Sequence, residues 1–274
     1  MKSLITVVGR LKGLQTTIPL EVSCKTFSAG EVQVTLGAAN TCDSFNVTAK
    51  IKDSSGVLAL LQVLSVLKST SSDIVLYLPY ISFARQDRAM VEGDAQSLKL
   101  FAELLNSFNL PKVIVTDPHS DVAPALINNS YVINQYECIK TFDFGKTFDA
   151  IISPDAGAYK KCLNVSKALG VNKLIVALKD RDVTTGAITG TRVTDPVDGL
   201  DVLIADDICD GGWTFIQLAK ALKEAGAKTV TLYITHGIFS KGLEPLLVDI
   251  DMVYAYYNWH GMINTMFVKT ANDF

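Results

Sequence analysis

Residues Gly199–Gly226 read GLDVLIADDICDGGWTFIQLAKALKEAG, and this stretch decides the fold class. Val202, Leu203, Ile204 and Ala205 form an apolar run of the kind buried in a parallel strand. Asp206 and Asp207 close that run, and a short loop with Asp210, Gly211 and Gly212 follows. Beyond Trp213, Thr214 opens a pattern in which Phe215, Leu218, Ala219 and Leu222 recur at helical spacing. Strand, acidic pair, glycine loop and helix is how α/β proteins hold a phosphorylated ligand beyond the carboxyl end of a sheet. The helix start presents N–H groups and the positive dipole end to anionic oxygens. The carboxylates repel phosphate, so their partners are ribose hydroxyls or a divalent cation. The plainer alternative is an ordinary βα turn with a solvated acidic tip.

Working outward, apolar runs alternate with helical patterns. Strands are expected at Val75–Leu78, Val113–Thr116, Ala150–Ser153, Leu174–Leu178 and Val230–Ile234, and helices at Leu98–Leu105, Lys160–Leu169 and Phe215–Ala225. This alternation implies parallel sheets covered by helices. A chain of 274 residues, 49% of them hydrophobic, has material for two cores. The junction is expected in the polar KTFDFGKTF of residues 140–148, giving domains 1–140 and 141–274. A net charge of −3 without a basic block argues against sequence-independent nucleic-acid binding. No apolar run reaches the roughly 20 residues of a membrane span, and MKSLITVVGR lacks a signal-peptide pattern. Cys24, Cys42, Cys138, Cys162 and Cys209 are scattered without metal-ligand spacing, as in a reduced cytoplasmic protein.

Polar segments follow several of these strands, where ligands gather in α/β sheets. In FARQDR, Phe83–Arg88, two arginines flank an aspartate; they form either a polyphosphate fork or a surface ion pair. TDPHSD, Thr116–Asp121, places His119 at a strand end, where a lone histidine is more often packed than ligating. SPDAG, Ser153–Gly157, follows Ile151–Ile152. ALKDR, Ala177–Arg181, leads into the polar DVTTGAITGTR, either a loop that folds over a substrate or a solvated charged one.

Taken in order, these motifs resemble the ribose-phosphate pyrophosphokinase (PRPP synthetase) family of the type I phosphoribosyltransferase fold, from about Phe27 to Gly242. The resemblance implies two phosphoribosyltransferase-type (Rossmann-like) α/β domains with mainly parallel sheets and an active site in the cleft between them. It implies transfer of a diphosphoryl group from ATP to the C1 hydroxyl of a phosphorylated ribose. By that resemblance Arg85, Gln86 and Asp87 contact ATP, and His119, in a segment similar to DLHA, helps hold Mg-ATP. Asp155 assists a second metal region; oxygen and imidazole ligands imply Mg²⁺. Lys179 and Arg181 match a Lys-x-Arg on a catalytic loop and neutralise charge on the transferred group. FSAGEV resembles an F-x-D-G-E loop that reaches a neighbouring subunit's ATP, so Phe27 stacks on adenine, Glu31 lies near it, and a homo-oligomer is implied. Ala29 stands where that loop has Asp. ITHGIFSKG, Ile234–Gly242, is similar to THGxxSG and shapes the ribose side.

The ribose loop departs from the family's D-D-x-x-D-T-x-G-T. Asp206, Asp207, Asp210, Gly212 and Thr214 remain to bind the acceptor, but Gly211 replaces a threonine and Trp213 a glycine beside the 5-phosphate. An indole there suits an acceptor that continues beyond its 5-phosphate, as in a divergent phage-type branch that makes ADP-ribose pyrophosphate. Alternatively, Trp213 packs on the helix start and ribose 5-phosphate is the acceptor. NAD or nucleotide salvage follows from either. A phosphoribosyltransferase and a non-catalytic regulatory relative are the rival readings. The aromatic VYAYYNWHGMINTMF, Val253–Phe267, reads as a buried strand, a subunit contact or part of an extended acceptor pocket.

Overall fold

The computed structural model describes residues 4–181, 188–259 and 268–273, and the chain divides into two units, Met1–Ile133 and Asn134–Phe274. Both are α/β. The first runs β1 (Leu4–Leu11), β2 (Thr17–Leu20), β3 (Val22–Thr26), β4 (Val32–Leu36), β5 (Cys42–Lys50), α1 (Ser54–Lys68), β6 (Ile74–Leu78), α2 (Ser97–Asn106), β7 (Lys112–Thr116), α3 (Val122–Leu126) and β8 (Ser130–Ile133). Its main sheet has the order β2-β1-β5-β6-β7-β8. β5 to β8 are parallel, while β1 joins antiparallel to both β2 and β5. The β3–β4 hairpin forms a separate two-stranded sheet.

Local chemistry explains these elements. The Asp53 carboxylate accepts from Gly56 N at 2.7 Å, capping α1 at its N-terminus. Ala59, Leu60, Val63, Leu64 and Leu67 then recur three and four apart and are buried. Along β6, Ile74, Leu76 and Leu78 point inward in strict alternation.

The second unit runs α4 (Gln135–Ile139), β9 (Ala150–Ser153), α5 (Tyr159–Leu169), β10 (Lys173–Arg181), β11 (Ile188–Val193), β12 (Asp201–Cys209), α6 (Trp213–Glu224), β13 (Thr229–Gly237), β14 (Met252–Asn258) and β15 (Val268–Asp273). The sheet order is β11-β10-β9-β12-β13-β14-β15, parallel except for the β10–β11 pair. The division falls at 133/134 rather than 140/141 because α4 belongs to the second unit. Its Cys138 and Ile139 are buried and the helix packs against α5 and β13. KTFDFGKTF is not a linker: Phe142, Phe144 and Phe148 join Tyr233 and Tyr254 in one aromatic cluster. The aromatic stretch from Val253 begins as a core strand, with Val253, Tyr254, Ala255, Tyr257 and Asn258 buried in β14; residues 260–267 lie outside the described part.

The order creates one topological switch point in the second sheet. From β9 the chain crosses through α5 to β10 on one side, then returns with β12 on the other side. The carboxyl ends of β9 and β12 therefore flank a crevice, the usual ligand position in an open α/β sheet. Among the described residues no helix is long and apolar enough to cross a membrane.

Candidate active site

β12 is longer than its apolar core suggests. It runs through Asp206, Asp207 and Ile208 to Cys209, with Asp206 opposite Ile234 and Ile208 opposite His236 on β13. The paired carboxylates therefore sit on the strand, not on the turn after it, and their backbones are fixed by a sheet ladder. Asp207 is buried and Asp206 half-buried. Asp207 N donates to Asp206 Oδ1 at 2.9 Å, and Lys161 Nζ on α5 stands 3.6 Å from Asp207 Oδ2. Burial, the adjacent Asp207 carboxylate and Asp155 push the Asp206 carboxyl well above the usual carboxylate range.

Asp155 comes from the other side of the crevice, after β9. Its Oδ1 accepts from Gly157 N at 3.0 Å and Ala158 N at 3.1 Å, and its carbonyl accepts from Ser153 Oγ at 2.7 Å. The carboxylate thus shapes the turn into α5 while facing Asp206. Cys162 on α5 donates to Ala205 O at 3.2 Å, and burial pushes its thiol up to about 12. Burial does the same to Cys209, so neither thiol beside the acidic pair is a nucleophile near neutral pH.

The loop after β12 reaches α6 through Gly211 and Gly212. Gly212 has φ of 79°, and a Cβ there would lie 2.9 Å from Leu246 Cδ2, so both backbone shape and space demand glycine. No side chain caps α6, whose first N–H groups have no intrahelical partners. Trp213 opens the helix with 65% of its surface exposed; Thr214 is half-buried and Asp210 exposed. The Ile234–Gly242 stretch is laced to this loop: Ile238 N and Phe239 N donate to Cys209 O, and Ser240 N to Asp210 O. His236 is buried and stacked on Tyr257 at 5.9 Å.

In the first unit the carboxyl ends of β6 and β7 are neighbours, and the loops after them meet. Asp87 accepts from Arg88 Nε at 3.0 Å and from Ser120 Oγ at 2.7 Å, and its side chain is 4% exposed. Arg88 and Ser120 hold the Asp87 carboxyl below the usual range, with a smaller effect from His119. The Asp87 carboxylate links its loop to that of His119, and Arg85, Gln86 and His119 are exposed. Phe27 and Glu31 occupy the tip of the β3–β4 hairpin, both exposed; Phe27 N donates to Glu31 O at 2.8 Å and Lys25 Nζ lies 4.8 Å from the Phe27 ring centroid. Lys179 and Arg181 lie at the end of β10, opposite Thr191 and Ile188 of β11. Their side chains lie outside the described residues.

The sequence reading missed Ser120 and Lys161. Neither follows a pattern; only the packing of elements distant in the chain, two loops for Ser120 and α5 against β12 for Lys161, reveals them. Among the described residues no three His, Cys, Asp or Glu side chains converge tightly enough to hold a cation alone. Mg²⁺ ordinarily takes one or two carboxylates and completes its shell with water and phosphate oxygens. The Asp155 carboxylate, which adds to the negative charge around Asp206, fits such a cation arriving with a nucleotide.

Comparison with known proteins agrees with this fold. Residues 11–108 match the N-terminal domain of ribose phosphate pyrophosphokinase, and residues 133–254 match the phosphoribosyl transferase domain. The ribose-phosphate pyrophosphokinase of Mycoplasmopsis pulmonis is 29% identical over 196 residues, 71% of this chain and 61% of the relative. That of Campylobacter jejuni is 29% identical over 236 residues, 82% of this chain and 74% of the relative. The chain thus spans about three-fifths to three-quarters of the curated relatives it matches. The crystal structure of phosphoribosylpyrophosphate synthetase from Mycobacterium smegmatis has the same fold, with a TM-score of 0.80 at 21% identity over 92% of this chain and 86% of that one. With these two domain matches in order along two α/β units of type I phosphoribosyltransferase fold, the chain belongs to the ribose-phosphate pyrophosphokinase family.

Proposed function

We propose that this chain is a diphosphotransferase moving the β,γ-diphosphoryl group of ATP to the C1 hydroxyl of a 5-phosphorylated ribose. The reading rests on one juxtaposition: the uncapped start of α6 follows directly on a strand-held acidic pair at a topological switch point. The α6 N–H groups and Thr214 bind the 5-phosphate, and Asp206 and Asp207 accept from the ribose hydroxyls. Arg85, Gln86 and His119 hold the nucleotide phosphates, Asp87 orders their loops, and Phe27 and Glu31 meet the adenine. The C1 oxygen bonds to the β-phosphorus, the bond to the α,β-bridging oxygen breaks, AMP leaves and the hydroxyl proton is released. Lys179 and Arg181 stabilise charge on the migrating group and the leaving oxygen; position and electrostatics supply most of such a rate. Bound Mg²⁺ would neutralise phosphate charge, with His119 of the first unit as the proposed contact at Mg-ATP and Asp155 of the second as the contact of a second metal region. A homo-oligomer and a cytoplasmic setting accompany this reading.

For the acceptor we favour ADP-ribose, giving its 1-pyrophosphate, because Trp213 offers an exposed indole beside the 5-phosphate position. Ribose 5-phosphate, giving PRPP, is the alternative. The test is AMP release from Mg-ATP with each acceptor separately, with products identified by mass. Turnover on ADP-ribose alone supports the switched acceptor, turnover on ribose 5-phosphate alone the alternative, and no AMP with either removes the proposal. Lys179→Ala is expected to leave ATP binding nearly intact and to cut turnover by orders of magnitude.

A further inference from the structure

The β3–β4 hairpin is a two-stranded ribbon, a form with little stability of its own. One side chain ties its edge to the body of the unit. Gln62 on α1 accepts from Val34 N at 2.9 Å and donates through Nε2 to Val32 O at 2.6 Å. The N–H of one strand residue and the C=O two residues before it face the same edge, so the Gln62 amide occupies the place of a neighbouring strand's peptide group. Val22, Val34 and Leu36 also pack against the core of the unit and Val32 is buried, so Gln62 supplies the polar, register-fixing tie. A cavity of about 280 Å³ separates it from the start of α1, with Ile5, Val22, Val34, Asp53 and Ala59 among its walls. The hairpin's tip is the Phe27–Glu31 turn, closed by its own backbone bonds and carrying a Phe27 ring that is 43% exposed beside Lys25.

We propose that Gln62 is a positioning residue for nucleotide binding: its amide fixes the hairpin over the cavity and aims the Phe27–Glu31 tip at the base of the donor nucleotide. This rests on the donor reading above. Gln62 does not touch the nucleotide; it acts through the backbone of β4.

The test compares wild type with Gln62→Leu, which removes both bonds and keeps a good helix former on α1, and with Gln62→Glu, which retains only the acceptor. Amide exchange across residues 22–36 is measured alongside the Kd for Mg²⁺ and the non-transferable analogue α,β-methylene-ATP, and AMP release. We expect Gln62→Leu to lose protection at Val34, to raise the analogue Kd about tenfold and to change kcat at saturating ATP less than about twofold, with Gln62→Glu in between. Loss of protection with an unchanged Kd would make Gln62 merely structural and overturn the proposal, as would unchanged protection. Absence of analogue binding by the wild type overturns both the positioning role and the donor reading. Binding that responds to Gln62 without AMP release from either acceptor removes the proposed reaction and leaves the positioning role standing.

Discussion

Ser120 Oγ donates a 2.7 Å hydrogen bond to Asp87 Oδ2, joining the loop after β7 to the loop after β6. Ser120 adjoins His119, and Asp87 lies two residues from Arg85, so this one bond sets the spacing of two exposed candidate phosphate contacts. The DLHA pattern that this segment resembles has alanine where this chain has Ser120.

Ser120→Ala removes one of two bonds to a carboxylate that is nearly shielded from water. The expected loss is about 1.5–3 kcal/mol of stability, read from urea unfolding, with a larger effect on the KM for ATP than on kcat. An unchanged KM would confine Ser120 to a structural role.

Asp206→Asn is expected to stabilise the fold while abolishing turnover. Asp206 has a folded-state pKa above its unfolded value of about 4. Its ionisation therefore costs stability once pH rises past about 4, and the cost grows until pH reaches the raised folded value. Below about pH 4 both states are protonated and the cost vanishes. The melting temperature of the variant should exceed that of wild type at pH 7–8 and converge with it near pH 4. Equal melting temperatures across that range would show that the pair is not strained.

Gly212→Ala and Gly211→Thr should behave oppositely. At Gly212 a Cβ meets Leu246 in a left-handed backbone, and a loss of about 1–3 kcal/mol is expected from thermal unfolding. At Gly211 the nearest atom to a Cβ is Lys241 Cγ at 3.7 Å, ordinary contact. Gly211→Thr should fold normally and, by restoring a hydroxyl at the phosphate loop, raise kcat/KM for ribose 5-phosphate relative to ADP-ribose. No shift in that ratio would remove Gly211 as a specificity residue.

Alkylation should distinguish the cysteines. Cys24 is exposed on the hairpin, whereas Cys42, Cys138, Cys162 and Cys209 are buried. With burial holding Cys162 and Cys209 near 12, iodoacetamide at pH 8 should mark Cys24 alone in the native protein. Peptide mapping by mass reads the outcome.

The local pattern of the sequence determined the regular core: the apolar runs of β6, β7, β9, β12 and β13, the amphipathic spacing of α2, α5 and α6, and the ligand loops at strand ends. Such elements are legible because burial imposes a period on neighbouring residues. β1 to β5 and α1 were not read; β1 pairs with β5, distant in sequence, and the hairpin lies at an edge with little periodic burial. Only tertiary structure decided that Asp206 and Asp207 belong to the strand, since the ladder to β13 extends four residues beyond the apolar run Val202–Ala205. It alone joined Asp87 to Ser120 and placed Lys161 beside Asp207. It also set Gln62 against the edge of β4, because those partners arrive from elements separated in the chain, and no local period encodes which elements a fold brings together.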